Sequence, residues 1–244
     1  MGTFLLVHGA AHGAWCWYKV LARLQEAGHK ALAFDLPGHG IDRTPPEHVT
    51  LLAYVQRVCQ ELEKQEQPVI LVGHSMAGAV ISQVAEVLPH KIHTLVYLAS
   101  CVLPSGQSLM QAAEADGQSQ LKEGCVIDTN SQLCHLLPNC LGELFYQDCE
   151  AADVTLAQAL LTPQPLAPLL TPVRLSERFE RVRRASIETA LDRVVSIDFQ
   201  RYARANKLCD QVYTLASGHS PFFSMPDALV QCLVAVERQP SSRL

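Results

Sequence analysis

The stretch that organises the chain reads Leu71-Val72-Gly73-His74-Ser75-Met76-Ala77-Gly78-Ala79. Before it, the β-branched and leucine run at residues 69–72 predicts a buried strand. From residue 76 to residue 88 apolar side chains recur at helical spacing, which predicts a helix. Ser75 therefore lies on the turn between a strand and a helix. This context is typical of a nucleophile elbow, a strained turn that lifts a serine hydroxyl above the edge of a sheet.

Small residues flank Ser75, as an elbow requires where the strand and the helix almost touch. Gly73 and Gly78 meet this requirement, whereas Ala77 stands where the usual G-x-S-x-G pattern has its second glycine. The alternative is an ordinary Gly-Ser turn in an α/β protein without this chemistry. The strand before Ser75 and the helix after it favour the nucleophile.

Length and composition define the broad class. The chain has 244 residues, 48% of them hydrophobic, which suits one large α/β domain with a full core. A net charge of −5 argues against nucleic acid or an anionic membrane surface as a partner. No apolar run approaches the ~18 residues of a membrane span, and residues 1–7 lack the features of a signal peptide. We therefore expect no membrane partner.

Nine cysteines are scattered along the chain, with no C-x-x-C pair among them. The odd number argues against a complete set of disulfides, and free cysteine behaves as a small buried hydrophobe. His8 and His12 form an H-x-x-x-H pair, but no acidic residue lies between them and they fall on a loop rather than a helix. We expect a reduced, cytoplasmic protein without a metal site.

Strands and helices alternate near both ends of the chain, which predicts an α/β fold with a doubly wound, mostly parallel sheet. The predicted strands are residues 3–7, 30–35, 69–72, 92–99, 186–191 and 212–215. The predicted helices include residues 17–27, 51–63, 76–88 and 197–205.

The alternation stops between about residue 104 and residue 184, where prolines interrupt short helical stretches. Long excursions of this kind in a compact fold are usually functional lids. We expect a helical cap on top of the sheet and a single domain, with the core formed by residues 1–103 and 185–244. Five arginines within residues 174–184 are interpreted as a solvated helix face.

A serine hydroxyl is a weak nucleophile, so it needs a base whose tautomer a third group holds. In enzymes built around such an elbow the chain order is serine, acid, histidine, each at the carboxyl end of a strand. Asp192 follows one predicted strand and His219 follows the last. Asp198 and Asp210 compete for the role of the acid, but the first falls in a helix and the second precedes a strand. The predicted catalytic residues are Ser75, Asp192 and His219.

An oxyanion hole requires one backbone N–H from the residue after the nucleophile and one from the loop after an early strand. Met76 supplies the first. Ala10 is predicted to supply the second, because Gly9 permits a sharp turn that directs the next amide toward the serine. The residues expected to contact substrate are Gly9, His12, His74 and Ser220.

Two other functions stay open at this point. The first is dinucleotide binding, since a strand, Gly9-x-x-x-Gly13, a helix and Asp35 at the next strand end resemble the start of such a domain. The G-x-G-x-x-G spacing is absent, however, and so is a Tyr-x-x-x-Lys pair. The second is a non-catalytic ligand receptor on the same fold, against which an intact set of serine, aspartate and histidine argues.

The sequence resembles the methylesterase and hydroxynitrile lyase group of α/β-hydrolases over nearly the whole chain, most weakly at residues 107–144. It is similar to bacterial carboxylesterases of this group, including pyrethroid hydrolases. The stretches that carry the resemblance are Val7-His8-Gly9-Ala10-Ala11-His12-Gly13-Ala14-Trp15, Gly73-His74-Ser75-Met76-Ala77-Gly78, Phe145-Tyr146-Gln147-Asp148-Cys149, Ala157-Gln158-Ala159-Leu160-Leu161-Thr162-Pro163-Gln164-Pro165-Leu166, Ala190-Leu191-Asp192-Arg193-Val194-Val195 and Ala216-Ser217-Gly218-His219-Ser220-Pro221-Phe222-Phe223-Ser224-Met225-Pro226.

The resemblance implies an α/β-hydrolase fold with a helical cap, no cofactor and often a homodimer. The site residues that it implies are Ser75, Asp192, His219 and the amides of Ala10 and Met76. Two residues depart from the pattern of the group, Ala77 in the elbow and Ser217 two residues before the histidine.

The resemblance also leaves an esterase and a hydroxynitrile lyase as alternatives. Lyases of this group carry a threonine after the first-strand histidine and a lysine directly after the catalytic histidine, where its charge stabilises departing cyanide. This chain has Gly9 and Ser220 at those positions. An uncharged pocket would leave cyanide poorly stabilised. We therefore predict hydrolysis of small apolar or aromatic esters through an acyl-enzyme on Ser75.

Overall fold

The computed structural model describes residues 1–206 and 208–238. Its strands are β1 (Thr3–Val7), β2 (Lys30–Ala33), β3 (Val69–His74), β4 (Ile92–Leu98), β5 (Cys125–Asp128), β6 (Leu133–Leu136), β7 (Gln164–Pro165), β8 (Arg183–Thr189) and β9 (Gln211–Leu215). Its helices are α1 (Tyr18–Glu26), α2 (Leu51–Glu63), α3 (Ala77–Val87), α4 (Leu109–Ala115), α5 (Leu141–Leu144), α6 (Ala151–Leu160), α7 (Ala167–Leu170), α8 (Glu177–Glu180), α9 (Ile197–Ala205), α10 (Pro221–Ser224) and α11 (Pro226–Glu237). No helix in these ranges combines the length and the apolar character that a membrane span requires.

A six-stranded sheet forms the centre of the fold, with every neighbouring pair parallel and the strand order β2-β1-β3-β4-β8-β9. Both faces of the sheet are covered, so its central strands β1 and β3 consist mainly of apolar residues. In β1, Phe4 and Leu6 pack on the side of α1 and α11, whereas Leu5 and Val7 pack on the side of α2 and α3. The predicted fold class is thereby confirmed.

The helix α2 shows how local sequence sets an element. The Thr50 side chain accepts a hydrogen bond from the amide of Ala53 and caps the helix, as threonine does at this position. Leu51, Tyr54, Val58 and other apolar residues recur at helical spacing and are buried. The observed bounds match the predicted helix 51–63.

The strand β8 begins and ends earlier than the predicted strand 186–191. It includes Arg183 and Arg184, which are only 8% and 6% exposed, and the neighbouring helix α8 is a single turn. The interpretation of this arginine-rich stretch as a solvated helix face is therefore wrong for these two residues. The guanidinium of Arg184 donates to the carbonyls of Leu208 and Phe179 and lies over the Phe179 ring, which compensates its burial.

The chain between β4 and β8 contains the short helices α4 to α8 and also a three-stranded antiparallel sheet, β5-β6-β7. The insertion thus contains the short helices expected of a helical cap and, in addition, a small sheet that was not predicted. Asp128 accepts hydrogen bonds from Asn130 and Ser131 and closes the turn that joins β5 to β6. The second core segment predicted at 185–244 runs past residue 238, and its last six residues lie outside the described residues.

Candidate active site

Ser75 occupies the turn between β3 and α3 in a left-handed conformation, with φ of +51°. Such a conformation costs a non-glycine residue of the order of 1–3 kcal/mol and persists only where its surroundings hold it. The amide of Ser75 donates to the carbonyl of Leu98 at 3.0 Å, and its carbonyl accepts the hydroxyl of Ser100 at 2.6 Å. The strained turn is thus held at both ends, and it has the geometry of the predicted elbow.

The small residues around Ser75 are required by close contacts. A Cβ on Gly73 would lie 2.7 Å from the carbonyl oxygen of Ala77, and one on Gly78 would lie 2.2 Å from Oγ of Ser100. Ala77 itself is fully buried at the start of α3. The elbow therefore accommodates the alanine that departs from the G-x-S-x-G pattern.

His219 and Asp192 form a buried pair. Nδ1 of His219 lies 2.9 Å from Oδ2 of Asp192, and their side chains are 2% and 0% exposed. An ionised carboxylate can only accept a hydrogen bond, so Nδ1 of His219 carries the proton and Nε2 is left as the basic nitrogen. Within the described residues no hydrogen bond occupies Nε2 of His219 or Oγ of Ser75.

Four further donors hold the Asp192 carboxylate. Oδ1 accepts the amides of Val194 and Val195 at 2.8 and 2.9 Å. Oδ2 accepts the hydroxyl of Thr189 at 2.8 Å and the carboxamide of Gln200 at 3.2 Å. These bonds compensate the burial of the carboxylate and orient it toward the histidine. Thr189 and Gln200 were not anticipated from the sequence, because neither belongs to a motif.

The two competing aspartates lie elsewhere. Oδ2 of Asp198 accepts the side chain of Gln118 at 2.6 Å at an exposed position on α9. Oδ2 of Asp210 accepts the backbone amide of Arg184 at 3.0 Å. The structure therefore brings Asp192, and neither competitor, to His219.

The segment after β1 passes directly against the elbow. A Cβ on Gly9 would lie 2.7 Å from Nδ1 of His74 and 3.1 Å from Cβ of Ser75, so only glycine fits there. The next amide, that of Ala10, and the amide of Met76 both belong to residues that line one cavity with Ser75. In the described part of the chain neither amide donates a hydrogen bond to another group. Both are therefore available to a ligand.

Two buried histidines shape this segment. His8 Nε2 accepts the amide of Leu36 at 3.0 Å, so its Nδ1 carries the proton and donates to the carbonyl of Gly9 at 2.8 Å. His12 Nδ1 donates to the carbonyl of Ala10 at 2.7 Å. Burial lowers the pKa of each histidine to about 3, so both rings are neutral near pH 7. Both ring nitrogens of His8 and Nδ1 of His12 therefore bond to backbone groups of the protein rather than to a ligand.

Two further predicted site residues, His74 and Ser220, lie next to His219 in space or in sequence. His74 Nε2 donates to the carbonyl of His219 at 2.8 Å, and the two rings lie 4.7 Å apart. Burial, reinforced by the neighbouring His219, lowers the pKa of His74 well below its usual value. Ser220 is fully buried, and its Oγ has no partner in the described chain. Ser217, which departs from the family pattern, bonds through its hydroxyl to Ser224 at 3.0 Å.

A cavity of about 430 Å³ joins these groups. Its wall includes Ala10, Ser75, Met76 and His219, together with His12 and His74, but neither Gly9 nor Ser220. Most of the remaining wall is apolar and comes from the insertion, from the loop after Asp192 and from helix α9. These apolar residues are Leu109, Met110, Ala112, Ala113, Leu121, Ile127, Leu136, Phe145, Leu169, Val194, Val195 and Phe199.

The geometry around Asp35 argues against dinucleotide binding. Its Oδ1 accepts the amide of Ala14 at 2.6 Å, and its Oδ2 accepts the amide of Ile41 at 3.0 Å. A Cβ on Gly13 or Gly40 would approach the same carboxylate to 2.8 or 2.2 Å. The aspartate that a ribose would require is therefore engaged in holding two loops together.

Comparison with known proteins agrees with this geometry. The model of an alpha/beta hydrolase family matches residues 4–231. A chloroplastic protein of Arabidopsis thaliana, provisionally named methylesterase 11, is 37% identical over 248 residues, which cover 96% of this chain and 64% of that protein. Methyl jasmonate esterase 1 of Vitis vinifera is 32% identical over 246 residues, which cover 91% of this chain and 92% of that protein.

One solved structure extends the comparison beyond plants. The crystal structure of a pyrethroid hydrolase from Sphingobium faniae JZ-2 covers 98% of both chains with a TM-score of 0.87 and 25% identity. The chain therefore belongs to the alpha/beta hydrolase family. Within that family it is similar to plant methylesterases and to a bacterial pyrethroid hydrolase, as the sequence resemblance indicated.

Proposed function

We propose that this protein is a carboxylesterase that hydrolyses small apolar or aromatic carboxylic esters through an acyl-enzyme on Ser75. One observation carries the proposal: Ser75 on its elbow and His219, whose ring is paired with the buried carboxylate of Asp192, line the same largely apolar cavity. The names of the relatives, a methyl jasmonate esterase and a pyrethroid hydrolase among them, support this class of reaction.

The proposed reaction begins when Ser75 Oγ attacks the carbonyl carbon of the ester and His219 Nε2 takes the hydroxyl proton. Asp192 keeps the histidine in the required tautomer and stabilises the imidazolium that forms. The same proton then passes from Nε2 to the departing alcohol, which leaves the acyl group on Ser75. Water then attacks the acyl carbon while Nε2 takes a proton from it, and the bond to Ser75 Oγ breaks as Nε2 returns this proton to Oγ and the acid is released.

Negative charge develops on the carbonyl oxygen during both attacks. The amides of Ala10 and Met76 are the proposed donors to this oxygen, since both line the cavity beside Ser75 and neither is otherwise engaged. A single donor of this kind contributes about 3 kcal/mol to transition-state stabilisation in acyl-transfer enzymes. The Gly9–Ala10 peptide is additionally polarised because His8 donates to its carbonyl oxygen.

The lining of the cavity indicates the class of substrate. Leucine, valine and phenylalanine side chains dominate it, so an apolar acyl or alkoxy group gains free energy by leaving water. Glu114 and Lys122 also line the cavity but are exposed to solvent. A volume of about 430 Å³ suits a small aliphatic or aromatic ester.

Two alternative functions, a hydroxynitrile lyase and a non-catalytic receptor, differ from an esterase in the site they require or in whether they turn over a ligand. A hydroxynitrile lyase requires a side chain at position 9 and a positive charge after the catalytic histidine. Position 9 leaves no space for a Cβ, and Ser220 is a neutral residue buried away from the cavity. A non-catalytic receptor would bind an apolar ligand in the same cavity without turnover.

A panel of p-nitrophenyl and methyl esters of graded chain length and aromaticity tests the proposal. We expect turnover of apolar esters, a fluorophosphonate adduct on Ser75, and no cyanide release from mandelonitrile above background.

Ser75→Ala should lower turnover by about 10⁶, as the loss of a triad serine does elsewhere. An adduct on another serine, or activity retained in the alanine variant, would refute the assignment. Cyanide release that depends on Ser75 without ester turnover would indicate a lyase, and saturable binding without turnover a receptor.

We also propose that the enzyme needs no cofactor and works in the cytoplasm. The described cysteines, from Cys16 to Cys232, all carry free thiols, which suits a reducing compartment. The family resemblance predicts a homodimer. Light scattering on the purified protein tests the dimer, and cell fractionation tests the location.

A further inference from the structure

One short segment of the insertion contacts the loops that follow β1, β8 and β9, which carry the proposed oxyanion amide of Ala10, the acid and the histidine. Residues 145–148, named the strap here, lie between helices α5 and α6. The strap belongs to a stretch that carries part of the family resemblance. None of its side chains takes part in the bond-making steps described above.

Tyr146 supports the oxyanion loop. Its hydroxyl lies 2.7 Å from Nε2 of His12, whose Nδ1 donates to the carbonyl of Ala10 at 2.7 Å. Burial lowers the pKa of His12 to about 3 and raises the pKa of Tyr146 well above its usual value, so both groups are neutral. The tyrosine hydroxyl is therefore the donor and Nε2 the acceptor. This chain of hydrogen bonds links the strap to the residue that presents the first oxyanion amide.

Gln147 supports the loop of the acid. Its Nε2 donates to the carbonyl of Leu191, the residue directly before Asp192, at 2.8 Å. The same carboxamide packs against Gly218, where a Cβ would lie only 2.4 Å from Nε2 of Gln147. The glycine before His219 therefore lets the strap approach the histidine loop closely.

Asp148 and Phe145 support the histidine loop. Oδ2 of Asp148 accepts the amide of Gly218, the residue directly before His219, at 2.8 Å. The ring of Phe145 lines the cavity and meets the His219 ring edge-on, with centroids 5.9 Å apart. All four side chains of the strap thus contact the loops after β1, β8 and β9 that carry proposed catalytic groups.

We propose that the strap is a positioning element, in which Tyr146, Gln147 and Asp148 align the oxyanion, acid and histidine loops for attack on one substrate. The loops leave the sheet from β1, β8 and β9, and β1 is not adjacent to the other two strands. Pairing of β8 with β9 aligns the acid and histidine loops with each other, but no pairing in the sheet aligns either of them directly with the oxyanion loop. Misplacement of a reacting group by about 1 Å can cost 10²-fold in rate. The proposal rests on the proposed esterase function.

The test compares three strap variants with a control in the same insertion. Tyr146→Phe removes one hydrogen bond, and Asp148→Ala removes another. Each should lower kcat for p-nitrophenyl acetate, and the rate of phosphonate labelling, at least tenfold, while KM changes less than threefold. Asp148→Asn keeps an oxygen acceptor and should recover most of kcat. Asp128→Ala, which loses only turn contacts to Asn130 and Ser131, should retain the wild-type kcat.

The outcomes separate the two proposals. If wild-type protein is labelled on Ser75 and turns over esters, but Tyr146→Phe and Asp148→Ala keep kcat within twofold, the strap is not a positioning element and the esterase assignment stands. If the wild-type protein is neither labelled nor active, the proposed function fails and the positioning role falls with it. Should Asp148→Ala not fold, Tyr146→Phe decides, because it removes a single oxygen atom and leaves the buried ring in place.

Discussion

The carboxamide nitrogen of Gln200 lies 3.2 Å from Oδ2 of Asp192, the oxygen that His219 Nδ1 contacts at 2.9 Å. Gln200 is fully buried on α9. Its Oε1 accepts the amide of Thr189 at 2.9 Å, and its Nε2 also donates to the carbonyl of Val195 at 2.8 Å. One side chain therefore connects the end of β8, the acid loop and the following helix.

Replacing Gln200 by Leu should impair both stability and turnover. The amide of Thr189 would stay buried without its partner, which costs about 1–3 kcal/mol, and the half-buried Val195 would lose the donor to its carbonyl. Asp192 would lose one donor, so kcat should fall as well. Urea unfolding measures the loss of stability, and ester turnover measures the loss of kcat. Gln65→Leu is the control for turnover, because Gln65 is a buried glutamine outside the cavity wall. Wild-type values of both quantities in Gln200→Leu would contradict this role.

Replacing Asp192 by Asn should leave the fold intact and lower turnover by roughly 10⁴, because the amide favours the wrong histidine tautomer. Steady-state kinetics and circular dichroism measure these effects. Asp198→Asn and Asp210→Asn are matched controls that should keep wild-type turnover. If one of them proves inactive while Asp192→Asn is active, the acid has been misassigned.

Acidification should destabilise the protein before its ordinary carboxylates titrate. Burial lowers the pKa of His8 and His12 to about 3 and that of His39 to about 4, from 6.5. Below pH 6.5 the unfolded chain therefore binds protons that the folded chain does not, so stability falls as pH falls. Each group steepens the slope by up to about 1.4 kcal/mol per pH unit.

Urea unfolding between pH 6.5 and pH 5 measures this slope. His39→Gln removes one of the histidines whose pKa burial lowers, so its slope should be shallower than that of the wild type. A free energy of unfolding that stays constant or rises as the pH falls through this window would show that these histidines are not buried in the neutral form.

Narrowing the cavity from the insertion should change substrate choice without affecting the serine. Leu136 on β6 lines the cavity, so Leu136→Trp should lower the kcat/KM ratio of p-nitrophenyl octanoate to acetate at least tenfold. Val126 on the neighbouring strand is 49% exposed and lies outside the cavity wall, so Val126→Trp is the control. Phosphonate labelling of Ser75 should persist in both variants. An unchanged ratio in Leu136→Trp would mean that the acyl chain binds elsewhere.

Local sequence determined those elements whose signals lie within a few consecutive residues. The helix at residues 51–63 was predicted at its observed bounds, because a capping threonine and a regular apolar face define it without help from the rest of the chain. The elbow at Ser75 could be predicted for a similar reason, since the apolar run, the small residues and the following helix are contiguous in sequence. The fold class follows from the order of such elements.

Other features depended on partners that are distant in sequence, and only the tertiary structure decided them. The local sequence around Arg184 does not distinguish a buried arginine from a solvated one, because the carbonyls that compensate the charge of Arg184 come from residues 179 and 208. The donors from Gln200 to Asp192 and from Gln147 to Leu191 carry no local pattern, since a glutamine has no preferred acceptor until the chain has folded. The sequence thus determined which chemical groups are present and on which elements. The packing of loops from separate strands decided which of them meet.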